Sequence, residues 1–173
     1  FRRNPLDEEI MDKFRVLMSV PVSNKEQWHQ TIFLLQSLKD QLSESQKRSL
    51  FDFITEKTIE EFMRMVTTFS FYEQKEKSQV IDLVVLWSKI ISMLDLEISP
   101  TQQRKLVKKF TKMDLYNSDY IFIFAAKAEE IGLDEFSRAL LVKYFKKATG
   151  LKIYDMGGFY QKWSKNIFLS SEL

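Results

Sequence analysis

Turn formers are scarce in this chain: only four glycines and three prolines occur among 173 residues. A β-sandwich or barrel needs frequent tight reversals, and glycine and proline supply much of the backbone geometry they require. Helices joined by short loops fit the shortage better. The expected fold class is all-α, with about nine helices in antiparallel pairs that form either an α-solenoid-like array or an irregular bundle. The length suits one domain. A single all-helical domain over residues 1–173 is therefore expected, divisible into an N-terminal hairpin (1–41) and repeat-like helix pairs (42–168).

Local signals place the helix starts. Asn4-Pro5 offers a capping side chain followed by proline at the first helical position, and Asp7, Glu8 and Glu9 suit the positive end of the helix dipole. Ser23 with Glu26 and Ser43 with Gln46 have the spacing of capping boxes, and Thr58 with Glu61 reads as a further start or as part of one bent helix. The apolar run from Val80 to Leu94 reads as a central helix. Ser99-Pro100 with Gln102 combines all three start signals and opens a helix through Leu106, Phe110 and Met113. Asn117 or Ser118 opens the next, which Gly132 ends. Asp134 opens another that runs to Gly150, and a last helix follows Asp155.

The chemistry of sites is thin. The absence of cysteine excludes disulfides and thiolate catalysis and favours a reducing setting, and the lone His29 cannot build a two-histidine metal site. Glu60-Glu61 and Glu129-Glu130 are adjacent pairs whose members diverge by about 100° around a helix, so neither converges on a substrate. Asp114, Asn117 and Asp119 lack the glycine and terminal glutamate of a calcium loop, and Gly157-Gly158 is too isolated to cradle phosphate. No enzyme activity, cofactor or small-molecule substrate is expected. The longest apolar stretch falls short of the roughly 20 residues needed to span a bilayer. The start at Phe1-Arg2-Arg3-Asn4 is expected to mark a processed form or a fragment.

Two internal matches stand out. Leu42-Ser43-Glu44-Ser45-Gln46-Lys47-Arg48-Ser49-Leu50 parallels Ile98-Ser99-Pro100-Thr101-Gln102-Gln103-Arg104-Lys105-Leu106, and Phe110, Met113, Phe124 and Ala128 parallel Phe145, Ala148, Phe159 and Trp163 at an offset of 35 residues (110 to 145). Capping explains the shared Ser and Gln, while Arg48 and Arg104 are left over. Repetition and chance similarity among amphipathic helices both produce such matches. Through Ile98-Ser99-Pro100, Leu106, Phe110, Leu115-Tyr116 and Phe124-Ala125-Ala126, the region from Leu42 to Ile167 resembles the degenerate helix-pair repeats of organellar proteins, of the heptatricopeptide, octotricopeptide or FAST-kinase-like type. The resemblance implies an α-solenoid that binds RNA or organises a mitochondrial ribonucleoprotein assembly. No C-terminal RAP module of the kind many such proteins carry is read in these residues, so an independent RNA-processing role is not expected.

Formal charge is only +2, so any nucleic-acid contact must be local. The candidate RNA-binding residues are Arg104, Lys105, Lys108, Lys109 and Lys112, opposite Leu106, Phe110 and Met113, with Lys143, Lys146, Lys147 and the nearby Lys152 one helix pair later. No acidic residue lies between Ser99 and Met113. In a stacked array the two sets would form one stripe for phosphates; the alternative is a solvated face with no partner. The series Phe110, Tyr116, Tyr120, Phe122 and Phe124 suits either a base-stacking platform or, more simply, a core. The expected function is a non-catalytic scaffold bound to other protein subunits, in a mitochondrial ribonucleoprotein such as the ribosome, or otherwise cytoplasmic. The alternative is a protein-binding adaptor without RNA.

Overall fold

A computed structural model describes residues 5–18, 25–68, 74–111 and 119–144. The described residues are helical, with no strand. In chain order they form α1 (Pro5–Met18), α2 (Lys25–Leu38), a 3-10 turn (Lys39–Gln41), α3 (Glu44–Thr68), α4 (Gln74–Leu94), α5 (Pro100–Val107), α6 (Asp119–Glu130) and α7 (Asp134–Tyr144). The expected helix after Asp155, the stop at Gly150 and the pair Gly157-Gly158 lie outside the described residues.

Three of the local start and stop signals act as the sequence suggests. Ser43 Oγ accepts from Gln46 N at 3.1 Å and Gln46 Oε1 accepts from Ser43 N at 2.8 Å, a complete reciprocal box. Ser99 likewise caps α5, accepting from Gln102 N at 3.2 Å with Pro100 in the first turn. Gly132 adopts φ +86°, and the bonds Leu133 N to Ala128 O (2.8 Å) and Gly132 N to Glu129 O (3.1 Å) close α6 with a Schellman turn.

One alternative that the sequence left open is decided, and one boundary differs from expectation. Thr58 does not restart a helix, because its hydroxyl donates to Ile54 O at 2.7 Å within one continuous α3. The helix opened by Pro100 stops at Val107 rather than running to Met113. Its last turn tightens into i to i−3 bonds, Lys108 N to Lys105 O (3.2 Å), Lys109 N to Leu106 O (3.1 Å) and Phe110 N to Val107 O (3.2 Å).

Three hairpins, α1 with α2, α3 with α4 and α6 with α7, are joined by contacts between every second helix: α1 with α3, α2 with α4, α4 with α6 and α5 with α7. Side-chain bonds fix direction along the odd-numbered helices. Asp52 meets Gln102 and Glu56 meets Lys109 between α3 and α5, while Gln103 meets Phe136 and Thr111 meets Tyr144 between the α5 segment and α7. In both pairs rising numbers meet rising numbers, so α3, α5 and α7 run parallel. Helix α4 is the central element, as its apolar run implies: it touches α2, α3 and α6 and buries Val80, Val84, Trp87, Ile90 and Leu94.

The core is densest where Phe62, Trp87, Phe110, Phe124 and Phe136 converge from α3, α4, the end of α5, α6 and α7. Phe124 is fully buried at their centre, its ring centroid 4.7 Å from Trp87, 5.1 Å from Phe62 and 5.2 Å from Phe110. Edge-on and tilted ring pairs at these distances add to simple burial. Trp87 Nε1 donates to the buried Thr55 hydroxyl at 3.0 Å, so the indole enters the core without an orphaned N–H.

Candidate nucleic-acid interface

The basic run begins in the last turn of α5, where Arg104 and Lys105 sit favourably against the negative end of the helix dipole. Lys108 and Lys109 lie beyond the helix end, in the tightened turn that Phe110 anchors by burying its ring. The run therefore shares one short, ordered corner rather than a long helical face. Lys112, Lys146, Lys147 and Lys152 lie outside the described residues.

Tertiary packing commits part of the charge. Arg104 Nη1 lies 3.3 Å from Glu135 Oε1 of α7 and its Nη2 donates to Thr101 Oγ1 at 3.3 Å. Glu135 is also held by Arg138, through Nε to Oε2 at 3.0 Å and Nη2 to Oε1 at 2.5 Å. The Arg138 guanidinium, with a smaller contribution from Arg104, holds the Glu135 carboxyl below the ordinary carboxylate range, and Arg138 is correspondingly raised. Lys109 Nζ stands 3.9 Å from Glu56 Oε1 on α3, an exposed and weak pair. The sequence around α5 is free of acid, but Glu56 and Glu135 reach it from other helices.

Lys143, the described member of the second lysine set, reaches the backbone of the first set's turn and is not a free cation. Its Nζ donates to Val107 O at 3.2 Å and to Phe110 O, while the Tyr144 hydroxyl donates to Thr111 O. Burial pushes the Lys143 amine below its ordinary pKa and the Tyr144 phenol up to about 12. Lys105 and Lys108 are exposed and form no ion pair among the described residues. Apart from Lys143, which backbone oxygens hold, they are the described residues of the basic set left without an ion pair.

The aromatic series is core where it is described. Phe110, Phe122 and Phe124 are buried and Tyr120 is half-buried, so they offer no open stacking platform; Tyr116 lies outside the described residues. Three residues without any local sequence signal prove central to the corner: Glu56, Glu135 and the buried Gln103, whose partners are distant along the chain. Of the leftover repeat arginines, Arg48 makes only an exposed pair with Glu44 at 3.7 Å, whereas Arg104 ties α5 to α7.

Elsewhere, a half-open groove of about 450 Å³ between α1 and α3 is lined by Glu8, Met11, Arg15, Asp52, Phe53 and Glu56 among others. Glu61 pairs with Arg64, and Glu130 pairs with Lys127 at 3.0 Å. Among the described residues no group of three His, Asp or Glu side chains is placed to hold a metal ion, and no helix is long and apolar enough to cross a membrane. Among the described residues, Val16 and Phe33 of α1 and α2 are the large apolar side chains most open to solvent, 69% and 73% exposed. No family model, curated protein or solved structure matches this chain.

Proposed function

We propose that this chain is a non-catalytic helical scaffold, a subunit of a mitochondrial ribonucleoprotein such as the ribosome, that touches RNA phosphates through Lys105 and Lys108 and neighbouring subunits through its terminal hairpin. The observation that carries the RNA contact is the basic corner at the end of α5, where two exposed lysines stand on an element tied to α3 and α7. With the backbone held in this way, a phosphate contact has to order only the lysine side chains and not the segment that carries them. Contacts between alternate helices support an array of helix pairs, in which each pair meets only its neighbours. The meeting of Trp87 on α4 with Phe136 on α7, ring centroids 5.9 Å apart, favours the more closed, bundle-like form of that array over an open one. The compartment rests on the resemblance to organellar helix-pair repeats alone.

The second reading is a protein-binding adaptor. It is favoured by Val16 and Phe33, two exposed apolar side chains on the adjacent helices α1 and α2 that suit burial against a partner. Isolation of the native protein with its bound molecules separates the two. Recovery with an RNA-containing particle that ribonuclease disperses is the expected result. Recovery with proteins alone, indifferent to ribonuclease, would replace the scaffold reading by the adaptor.

A further inference from the structure

We propose that Lys143 is a positioning residue, a charged clip that fastens the corner after α5 and so presents Lys105 and Lys108, rather than itself a contact to phosphate. This inference rests on the reading of that corner as the RNA-facing surface. It adds how the surface is held.

Helix α5 has only eight residues, too few to persist on helix propensity alone, and it ends in closely spaced like charges. Its final carbonyls have no following helical turn to satisfy them. The tightened turn occupies the oxygens of Lys105, Leu106 and Val107 with the N–H groups of Lys108, Lys109 and Phe110. The remaining acceptor capacity of Val107 and the oxygens of Phe110 and Thr111 are taken by Lys143 and Tyr144, side chains from the last turn of α7, 33 to 36 residues further along the chain. An ammonium among helix-end carbonyls gains both hydrogen bonds and the dipole.

The body of α5 is tied to α7 as well, by Gln103 to Phe136 and Arg104 to Glu135, so the element is fastened to one neighbour both within the helix and beyond its end. For Lys143 to reach a phosphate it would first have to give up two charge-assisted bonds to backbone oxygens. Lys105 and Lys108 are already exposed and give up nothing comparable. Phosphate is therefore taken by the two exposed lysines, and Lys143 stays on the backbone.

Amide hydrogen exchange on the RNA-free protein tests this directly. In Lys143→Met, the amides of Lys108, Lys109 and Phe110 are expected to exchange about tenfold faster, with amides in the centre of α4 unchanged to show that the fold persists. Lys105→Met, which removes a neighbouring charge without touching the clip, leaves the exchange of these amides as it was. Exchange in Lys143→Met within twofold of the parent would overturn the proposal. A second arm uses a single-stranded oligouridine probe: Lys143→Met is expected to weaken binding while leaving its salt slope unchanged. A slope reduced by about one contact would mean that Lys143 holds a phosphate, and would also overturn the proposal. The exchange arm needs no RNA, so it decides the clip even where oligouridine fails to bind at all.

Discussion

The side-chain oxygen of Gln103 accepts the backbone N–H of Phe136 at 2.9 Å while its nitrogen donates to Ile98 O at 2.8 Å. One buried amide thus satisfies a free N–H at the start of α7 and a carbonyl of the loop before α5. Gln103→Met keeps the approximate shape and strands both backbone groups. It is expected to cost about 2 to 3 kcal/mol, read as a lower urea midpoint with an unchanged slope.

Phe124 tests whether the aromatic cluster is the keystone of the C-terminal helices. It is fully buried and within 5.7 Å, centroid to centroid, of Phe136 as well as close to Phe62, Trp87 and Phe110. Phe124→Ala is expected to cost about 3 to 5 kcal/mol, and Phe124→Leu less than half as much because most of the volume is retained. Equilibrium denaturation of the two variants gives the comparison.

Backbone conformation makes opposite predictions at two helix ends. Gly132 holds φ +86°, and a methyl group added there would find nothing within 4 Å, so Gly132→Ala meets no clash and loses about 1 kcal/mol from conformation alone. Asp95 holds φ +49° after α4, a region costly to a side-chain-bearing residue. Asp95→Gly is expected to raise stability by up to about 1 kcal/mol, a rise in Tm of roughly 2 to 4 °C.

Acid should weaken the junction of α5 and α7. The folded pKa of Glu135 is lowered from 4.5 by its hydrogen bonds to Arg138, and to a lesser extent Arg104. A depressed carboxyl contributes its stability in full above its unfolded pKa and loses it as pH falls through the folded value. Glu135→Gln is expected to be less stable than the parent at pH 7, and the gap should narrow progressively below pH 4.5. A gap that is the same at pH 7 and pH 3 in urea titrations would contradict the assignment.

What the sequence made legible is what depends on near neighbours. The box at Ser43 and Gln46, the start at Ser99-Pro100 and the stop at Gly132 are written within a few residues, and the apolar run of α4 marks its own burial. Thr58 left two readings open because the same hydroxyl that caps a helix start can bond back to a carbonyl four residues earlier. The candidate interface was legible as a run of positive charge but not as a surface. Glu56, Glu135 and the carbonyls that Lys143 caps come from other elements, and only the fold decides which lysines remain open.

The central claim is that Lys105 and Lys108 carry the RNA contact, and the salt dependence of oligouridine binding tests it most directly. With at least two phosphates engaged, log K is expected to fall against log salt with a slope of about −1.4 or steeper, at roughly −0.7 per contact on a single strand. Lys105→Glu with Lys108→Glu should weaken binding at least tenfold and flatten that slope. Binding by the double variant as tight and as salt-dependent as the parent's, or no binding by the parent at low salt, would contradict the claim.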